Sequence, residues 1–389
     1  MRFLVLGAGL QGSACAYDLL QNTAVQRVVL ADLTVDRLPP FLQRYRNDAR
    51  LELVQADARD EEALLNMLQR VDSCLNALPY YFNLEVATLA VTAGVHYADL
   101  GGNTAIVFQQ LQLDEIARTR NASAIPDCGL APGMVNVLAA AGIRDLDETD
   151  TVKIRVGGLP QNPTPPLKYQ IVYSLHGVLD YYTTPSWVVR EGAPKQVEAL
   201  SEIEPVVFPD PVGELEAFHT AGGLSTMPWT YQGKVRTMEY KTLRYPGHAT
   251  IMRAIRGLGL LDLGPINVRG QSIVPREVFI AAAEPRLRRP EGRDLVALRV
   301  EAEGRKAGQP LRIVYDLLDY FDEANGISAM ERTTGFSLSI TGQLQASGRT
   351  RTPGVFTPDQ AVPADAYIAE LDQRGIHIER REESLIKPE

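Results

Sequence analysis

A parallel α/β sheet followed by an α+β region with a mostly antiparallel sheet is the architecture that this chain of 389 residues predicts. Three observations predict it. Strand and helix patterns alternate through short links from residue 1 to about 130, as in parallel strands covered by helices on both faces. From about Thr151 to Ile327 the pattern changes to runs of strands broken by short helices and Gly- and Pro-rich links, which suits an α+β domain. The opening apolar run ends in glycines at the G-x-G-x-x-G spacing, Gly7, Gly9 and Gly12, by which a strand feeds a helix beneath a dinucleotide. The length prior agrees with about two domains.

The first strand spans residues 2–6 and stops at Gly7. Gly7 permits a tight turn, Gly9 lets the backbone approach a pyrophosphate, and Gly12 lets the next helix pack on the strand. That helix offers free N–H groups around Leu10 and Gln11 to the phosphates. Further strand patterns fall at 28–31, 51–56, 73–77, 95–98 and 122–126, with amphipathic runs at 61–69, 84–93 and 105–120. Ligands of such sheets bind at the carboxyl ends of the strands, so candidate residues are read there. Asp32 lies about twenty residues past Gly12, where an acid accepts a hydrogen bond from the ribose 2′-OH and repels a 2′-phosphate. This predicts NAD rather than NADP. Asp57 either caps the helix at Glu61 or contacts adenine, and Asn76-Ala77-Leu78-Pro79 pass beside the cofactor's ribose. Asp99 is the strand-end carboxylate nearest the expected nicotinamide, and Asp127 and Cys128 end the sixth strand.

Beyond the turn at residues 129–133, Pro132 suits the first turn of a helix through 134–142. Strands are predicted at 152–156, 169–173, 235–245, 295–300 and 311–317, and helices at 249–257 and 275–283. The segments 328–346 and 363–374 are helical, and periodicity leaves open whether this tail returns to the first domain. With 45% hydrophobic residues the chain can build a large core, and a net charge of −9 argues against nucleic-acid or anionic-membrane partners. No apolar run reaches membrane length and no secretory leader is legible, so a cytoplasmic location is expected. Cys15, Cys74 and Cys128 have neither zinc spacing nor a disulfide framework, and no metal is expected.

Several stretches taken together resemble the saccharopine dehydrogenase-like family. They include the glycine loop, His96-Tyr97-Ala98-Asp99-Leu100-Gly101-Gly102, Pro126-Asp127-Cys128-Gly129-Leu130-Ala131-Pro132-Gly133, Phe218-His219-Thr220-Ala221-Gly222-Gly223-Leu224-Ser225-Thr226 and Glu239-Tyr240-Lys241-Thr242-Leu243-Arg244-Tyr245-Pro246-Gly247-His248. The resemblance implies a Rossmann sheet closed by C-terminal helices, with an inserted α+β domain that also dimerises. It therefore implies a nucleotide domain of residues 1–130 plus about 330–389, a substrate-binding and dimerisation domain of 131–329, and a homo-oligomer (a dimer or a higher assembly of dimers). It also implies an NAD-dependent oxidoreductase acting on a small amino-acid substrate. Within the family the stretches are most similar to the lysine 6-dehydrogenase type. That type deaminates the ε-amino group of L-lysine to allysine, which cyclises to piperideine-6-carboxylate, with release of ammonia. Saccharopine-type relatives act on a secondary amine and commonly carry Asp where this chain has Ala131. A catalytically silent NAD-binding interaction protein is the rival of another class.

An amine can lose hydride from its carbon only when its nitrogen lone pair is free, and at pH 7 roughly one lysine ε-amine in a few thousand is neutral. Asp99 is the first candidate to orient the amine, given a raised pKa or a water relay, and Cys128 and Asp127 are the second. Cys128 reads also, and rather more readily, as a small buried residue. For the α-carboxylate, Arg244 offers a bidentate guanidinium. Lys241 and His248 share its stretch, but strand alternation puts Lys241 opposite Tyr240, Thr242 and Arg244. The turn at 222–226, through Gly223 and Thr226, offers N–H and hydroxyl groups to an anion or is a plain loop.

Overall fold

The computed structural model describes residues 1–172 and 174–386. The first region contributes β1 (Arg2–Leu6), β2 (Arg27–Asp32), β3 (Leu51–Gln55), β4 (Ser73–Asn76), β5 (His96–Asp99) and β6 (Ser123–Ile125). The second contributes β7 (Glu148–Pro160), β8 (Ser186–Arg190), β9 (Ala193–Val197), β10 (Glu204–Val207), β11 (Glu214–His219), β12 (Val235–Arg244), β13 (Ile266–Val268), β14 (Gln271–Ile273), β15 (Asp294–Lys306) and β16 (Gln309–Tyr320). The tail adds β17 (Gly354–Val355) and β18 (Glu379–Ser384).

The nucleotide sheet has seven strands in the order β17-β6-β5-β4-β1-β2-β3, and every pair in it is parallel. β1 shows why these strands read as unbroken apolar runs. Phe3 and Val5 enter one core and Leu4 and Leu6 the other, because helices cover both faces. The chain runs outward from β1 to β3 and then returns to the far side of β1 as β4. This reversal of strand order opens a crevice at the carboxyl ends of β1 and β4.

The tail does return to this sheet. The helix Ala329–Ala346 is buried along nearly its whole length and packs on the helix Leu10–Gln21. Gly335 permits the approach, since a Cβ there would stand 2.7 Å from the Ala14 Cβ. Its polar side chains are partnered inside: Ser339 donates to Asp18 at 2.7 Å, and Gln345 donates to the Tyr97 carbonyl at 3.0 Å. A Ser328–Glu331 capping box starts the helix, and the Asp294 carboxylate accepts from the Ala329 and Met330 amides. β17 then joins β6.

The second sheet runs β10-β11-β12-β7-β15-β16-β18, with the β8–β9 hairpin on β12. All of its pairs are antiparallel except β12 with β7, so it is mixed and mostly antiparallel, as expected.

Several expectations need correction. The resemblance implies a tail wholly within the nucleotide domain, yet β18 pairs with β16 at the edge of the second sheet. Its sequence, Glu-Arg-Arg-Glu-Glu-Ser, has no apolar alternation and is held by ion pairs such as Arg381 with Asp316, so the pattern of a half-buried strand is missing. Residues 387–389 lie outside the described residues. Residues 169–172 form no strand, and Tyr173 lies outside the described residues. The run 105–120 is two helices, Thr104–Leu111 and Asp114–Thr119. The helix Leu175–Thr183 was not anticipated.

Candidate functional site

The glycine loop leaves room where a dinucleotide needs it. Gly7 has φ 95°, and a Cβ on it would come within 3.0 Å of the Ala77 carbonyl oxygen. A Cβ on Gly12 would collide with the Gly7 carbonyl, so the helix can start this close to the strand only with glycine. Around Gly9 a Cβ would meet nothing within 4 Å. Gly9 itself stands at the N-cap of Leu10–Gln21 with no side chain capping the helix, so the first N–H groups face that open space. These features fit a diphosphate.

Beyond the loop, Asp32 and Asp57 lie in one cleft of about 570 Å³ with Leu78 and Pro79. Asp32 accepts from the Ala8 amide at 2.7 Å and from the Thr34 amide at 3.0 Å, which fixes its carboxylate at the end of β2. Asp57 does not cap the next helix. Asp60 does, accepting from the Ala63 amide. Asp57 binds Arg59 at 2.7 Å, and that bond lowers its pKa to about 2. Asn76 is buried and points inward, donating to Asn83 and Tyr97 and accepting from the Leu78 amide, so it shapes the turn through Ala77 rather than meeting a ligand.

A separate cavity of about 220 Å³ lies between the glycine loop and the second sheet. Gln11, Leu100 and Ala131 line it from the nucleotide side, and Tyr240, Thr242 and Arg244 from β12. Strand alternation delivers those three to one face, and Lys241 points away, donating to the Glu202 carbonyl at 2.9 Å. Arg244 is positioned by a chain of bonds. The Leu167 carbonyl can only accept, so His248 donates to it through Nδ1 at 2.9 Å. Burial, and then the Arg244 charge, push the His248 pKa down to about 3, so its ring is neutral and Nε2 accepts from the Tyr182 hydroxyl at 3.0 Å. Tyr182 in turn accepts from Arg244 Nε at 3.2 Å. The guanidinium also lies 5.0 Å from the centre of the Tyr169 ring. His248 therefore acts two residues back from the cavity, as a positioning group.

Gly223 and Thr226 form no anion cradle. Gly223 packs beneath Tyr240, where a Cβ would strike the ring, and its carbonyl accepts from Asn136. Thr226 is buried at the start of the short helix Met227–Thr230. Sequence reading missed the cavity walls Tyr181, Met330 and Thr334 and the supporting Tyr182. Residues of the unforeseen helix carried no motif, while Thr242 was marked by its alternation with Tyr240 and Arg244.

The three proton-handling candidates are all buried and none lines the cavity. Asp99 accepts from the Gly101 amide at 2.7 Å, the Asp127 amide at 3.0 Å and Gln110 at 2.7 Å, so it ties the ends of β5 and β6 together. Cys128 donates to the Ile125 carbonyl at 3.1 Å, and burial pushes its thiol far up, which leaves no thiolate nucleophile. Asp127 accepts from Ser225 across the domain boundary. Burial first, and the Asp99 charge second, lift its pKa to about 8. Burial raises the Asp99 carboxyl too, but three donors oppose the rise there and only Ser225 does at Asp127, so the proton of the pair favours Asp127.

That proton makes a prediction. Asp127 titrates at 3.8 in the unfolded chain and near 8 in the folded one, so the native state holds the extra proton between these values. The stability it contributes is full below pH 3.8 and is lost as pH rises through 8. Asp127→Asn keeps an acceptor for Ser225 and tolerates the φ of 65°. It should raise Tm by more at about pH 9 than at about pH 5. A shift equal at both pH values would show that Asp127 carries no such proton.

Among the described residues one group, Glu202, His219 and Glu239, brings three possible metal donors together. Arg190 already bonds Glu202 at 3.0 Å and Glu239 at 2.7 Å, and Lys241 stands 3.9 Å from Glu239. Two cations hold those carboxylates, so the group is an ion-pair network.

Fold and site together define a dinucleotide-binding protein of two sheets, with a cavity lined by Arg244 beside its glycine loop. Residues 3–125 match the saccharopine dehydrogenase NADP binding domain, and residues 129–376 match the saccharopine dehydrogenase C-terminal domain. The chain belongs to the saccharopine dehydrogenase family, and its cofactor is a nicotinamide dinucleotide. It is 21% identical over 402 residues to the carboxyaminopropylagmatine dehydrogenase of Synechocystis sp., with 96% of each chain covered. It is 24% identical over 276 residues to the mitochondrial alpha-aminoadipic semialdehyde synthase of Bos taurus, covering 67% of this chain and 28% of that protein. It thus spans under a third of the length of that relative. The apo saccharopine dehydrogenase (L-Glu forming) of Saccharomyces cerevisiae superposes with a TM-score of 0.80 at 19% identity, covering 98% of this chain and 100% of the yeast one. Homospermidine synthase of Legionella pneumophila, in complex with NAD, superposes at 0.69 and 11%, covering 98% and 91%. These two superpositions bear on the fold.

Proposed function

We propose that this chain oxidises the carbon–nitrogen bond of a small amino acid, first of all the ε-amine of L-lysine, with NAD as hydride acceptor. The observation that carries this reading is the cavity. Its volume of about 220 Å³ is small, and Arg244 is the sole charged side chain among its described lining residues. Pockets for larger ligands begin near 300 Å³. One guanidinium matches one carboxylate, whereas saccharopine carries three. Ala131 adds to this, since it puts a methyl group into the wall where saccharopine-type relatives commonly have a carboxylate. NAD is favoured over NADP because Asp32 places a negative charge at the ribose end, while Arg59, in the same cleft, is engaged by Asp57.

The bound nicotinamide would supply the hydride acceptor. The protein's part is to bind, orient and keep water out. Arg244 takes the α-carboxylate, and Tyr240 and Thr242 form the adjoining wall. A neutral R–CH2–NH2 loses hydride to give R–CH=NH2+, and water then converts this to R–CHO and NH4+.

No carboxylate lines the cavity among the described residues, and burial holds the Tyr181 and Tyr240 phenols protonated. The amine must therefore arrive neutral from solution. With L-lysine and NAD, reduced cofactor should form, and kcat/KM should rise about tenfold per pH unit from neutrality towards the lysine pKa near 10.4. A maximum near neutral pH would require an internal base and would overturn this account.

A second reading has its own support. The relative aligned along nearly the whole chain is named a carboxyaminopropylagmatine dehydrogenase, and the family is named for a secondary amine. Reduced cofactor formed with saccharopine and not with lysine would favour that reading.

A further inference from the structure

Gln11 gives its backbone to the glycine loop, yet the residue lines the substrate cavity and is absent from the lining of the cleft that holds Asp32. Its Oε1 atom is buried and has no hydrogen-bond partner. A buried carbonyl oxygen without a donor is costly, and in a residue that lines a ligand cavity a turn of the carboxamide brings it to a donor on the ligand. We propose that the Gln11 carboxamide oxygen accepts a hydrogen bond from the amine nitrogen of the substrate, an inference that rests on the amine-oxidation reading. Arg244 enters the cavity from β12 and Gln11 from the loop that carries the cofactor, so a substrate held by its carboxylate presents its amine on the Gln11 side.

The bond does two things. It fixes one N–H and so turns the nitrogen lone pair towards the breaking C–H bond. It also strengthens during the reaction. The C–H electron pair leaves as hydride, which a bound nicotinamide would accept, the lone pair becomes the second bond of C=N, and the nitrogen gains positive charge. The N–H is then a better donor to a neutral carbonyl that gains no proton. An interaction stronger in the transition state than in the ground state raises kcat rather than lowering KM.

The test uses the full chain with Gln11→Met, which keeps the length of the side chain, and Gln11→Leu. Since the Gln11 oxygen bonds nothing in the protein, Tm and the Kd for NAD should stay close to the parent values. The kcat for lysine should fall by about tenfold to a hundredfold, with KM changed by less than about threefold. The deuterium isotope effect from lysine labelled at the reacting carbon should rise, as the hydride step becomes slower. If both variants weaken NAD binding and leave kcat at saturating NAD unchanged, Gln11 serves the cofactor and the proposal fails. Unchanged kcat with unchanged NAD binding also sinks it. A parent protein that oxidises no amine at all overturns the underlying reading instead, and is told apart because the variants are then never the cause.

Discussion

Replacing Arg244 by leucine is expected to lower kcat/KM for the amino-acid substrate by roughly thirtyfold to several thousandfold. This corresponds to the roughly 2–5 kcal/mol that a buried charge costs when its partner is removed. The loss should appear mainly in KM, because the carboxylate is bound alike in the ground and transition states. NAD binding should be unaffected, since Arg244 lies on β12, across the cavity from the glycine loop. Arg244→Lys should recover little. The guanidinium bonds Tyr182 through Nε and lies over Tyr169, and an ammonium cannot do both while gripping a carboxylate at two points. The measurement is steady-state kinetics with a parallel NAD titration. A fully active Arg244→Lys variant would remove Arg244 from the substrate site.

Two glycines of the loop, Gly9 and Gly12, should fail in different ways. Gly9→Ala meets nothing within 4 Å in the protein, so Tm should be unchanged, while its methyl group stands where the backbone must approach the diphosphate. Losing hydrogen bonds to that charged group should weaken NAD binding by about tenfold to a hundredfold. Gly12→Ala instead drives a Cβ into the Gly7 carbonyl, and backbone there cannot yield cheaply. It should lower stability by about 1–3 kcal/mol and weaken NAD binding as well. Thermal melts and NAD titrations on both variants separate the two effects. A Gly9→Ala variant that binds NAD normally would mean that the diphosphate does not cross the loop there.

Much of the frame was legible because it rests on local rules. Gly7, Gly9 and Gly12 sit where steric demands act between neighbours in the chain, and the unbroken apolar run of β1 signals burial on both faces. The placing of Tyr240, Thr242 and Arg244 together, with Lys241 turned away, follows from the two-residue period of a strand. The acids were harder. A strand-end Asp looks the same in sequence whether it faces a ligand or a neighbouring loop. Asp99 proved to be consumed by the Gly101 and Asp127 amides and by Gln110.

What the amino-acid order determined by itself is therefore the nucleotide loop, the parallel sheet and the shared face of Tyr240, Thr242 and Arg244 on β12. Tertiary structure alone decided the rest. It brought Ser225 to Asp127, Leu167 and Tyr182 to His248, the helix Ala329–Ala346 onto the first sheet, and Gln11 to the wall of the same cavity as Arg244. The physical reason is the range of the interactions. Periodicity and glycine sterics act over a few residues, whereas burial, hydrogen-bond completion and the pKa values that follow from them depend on partners distant in the chain.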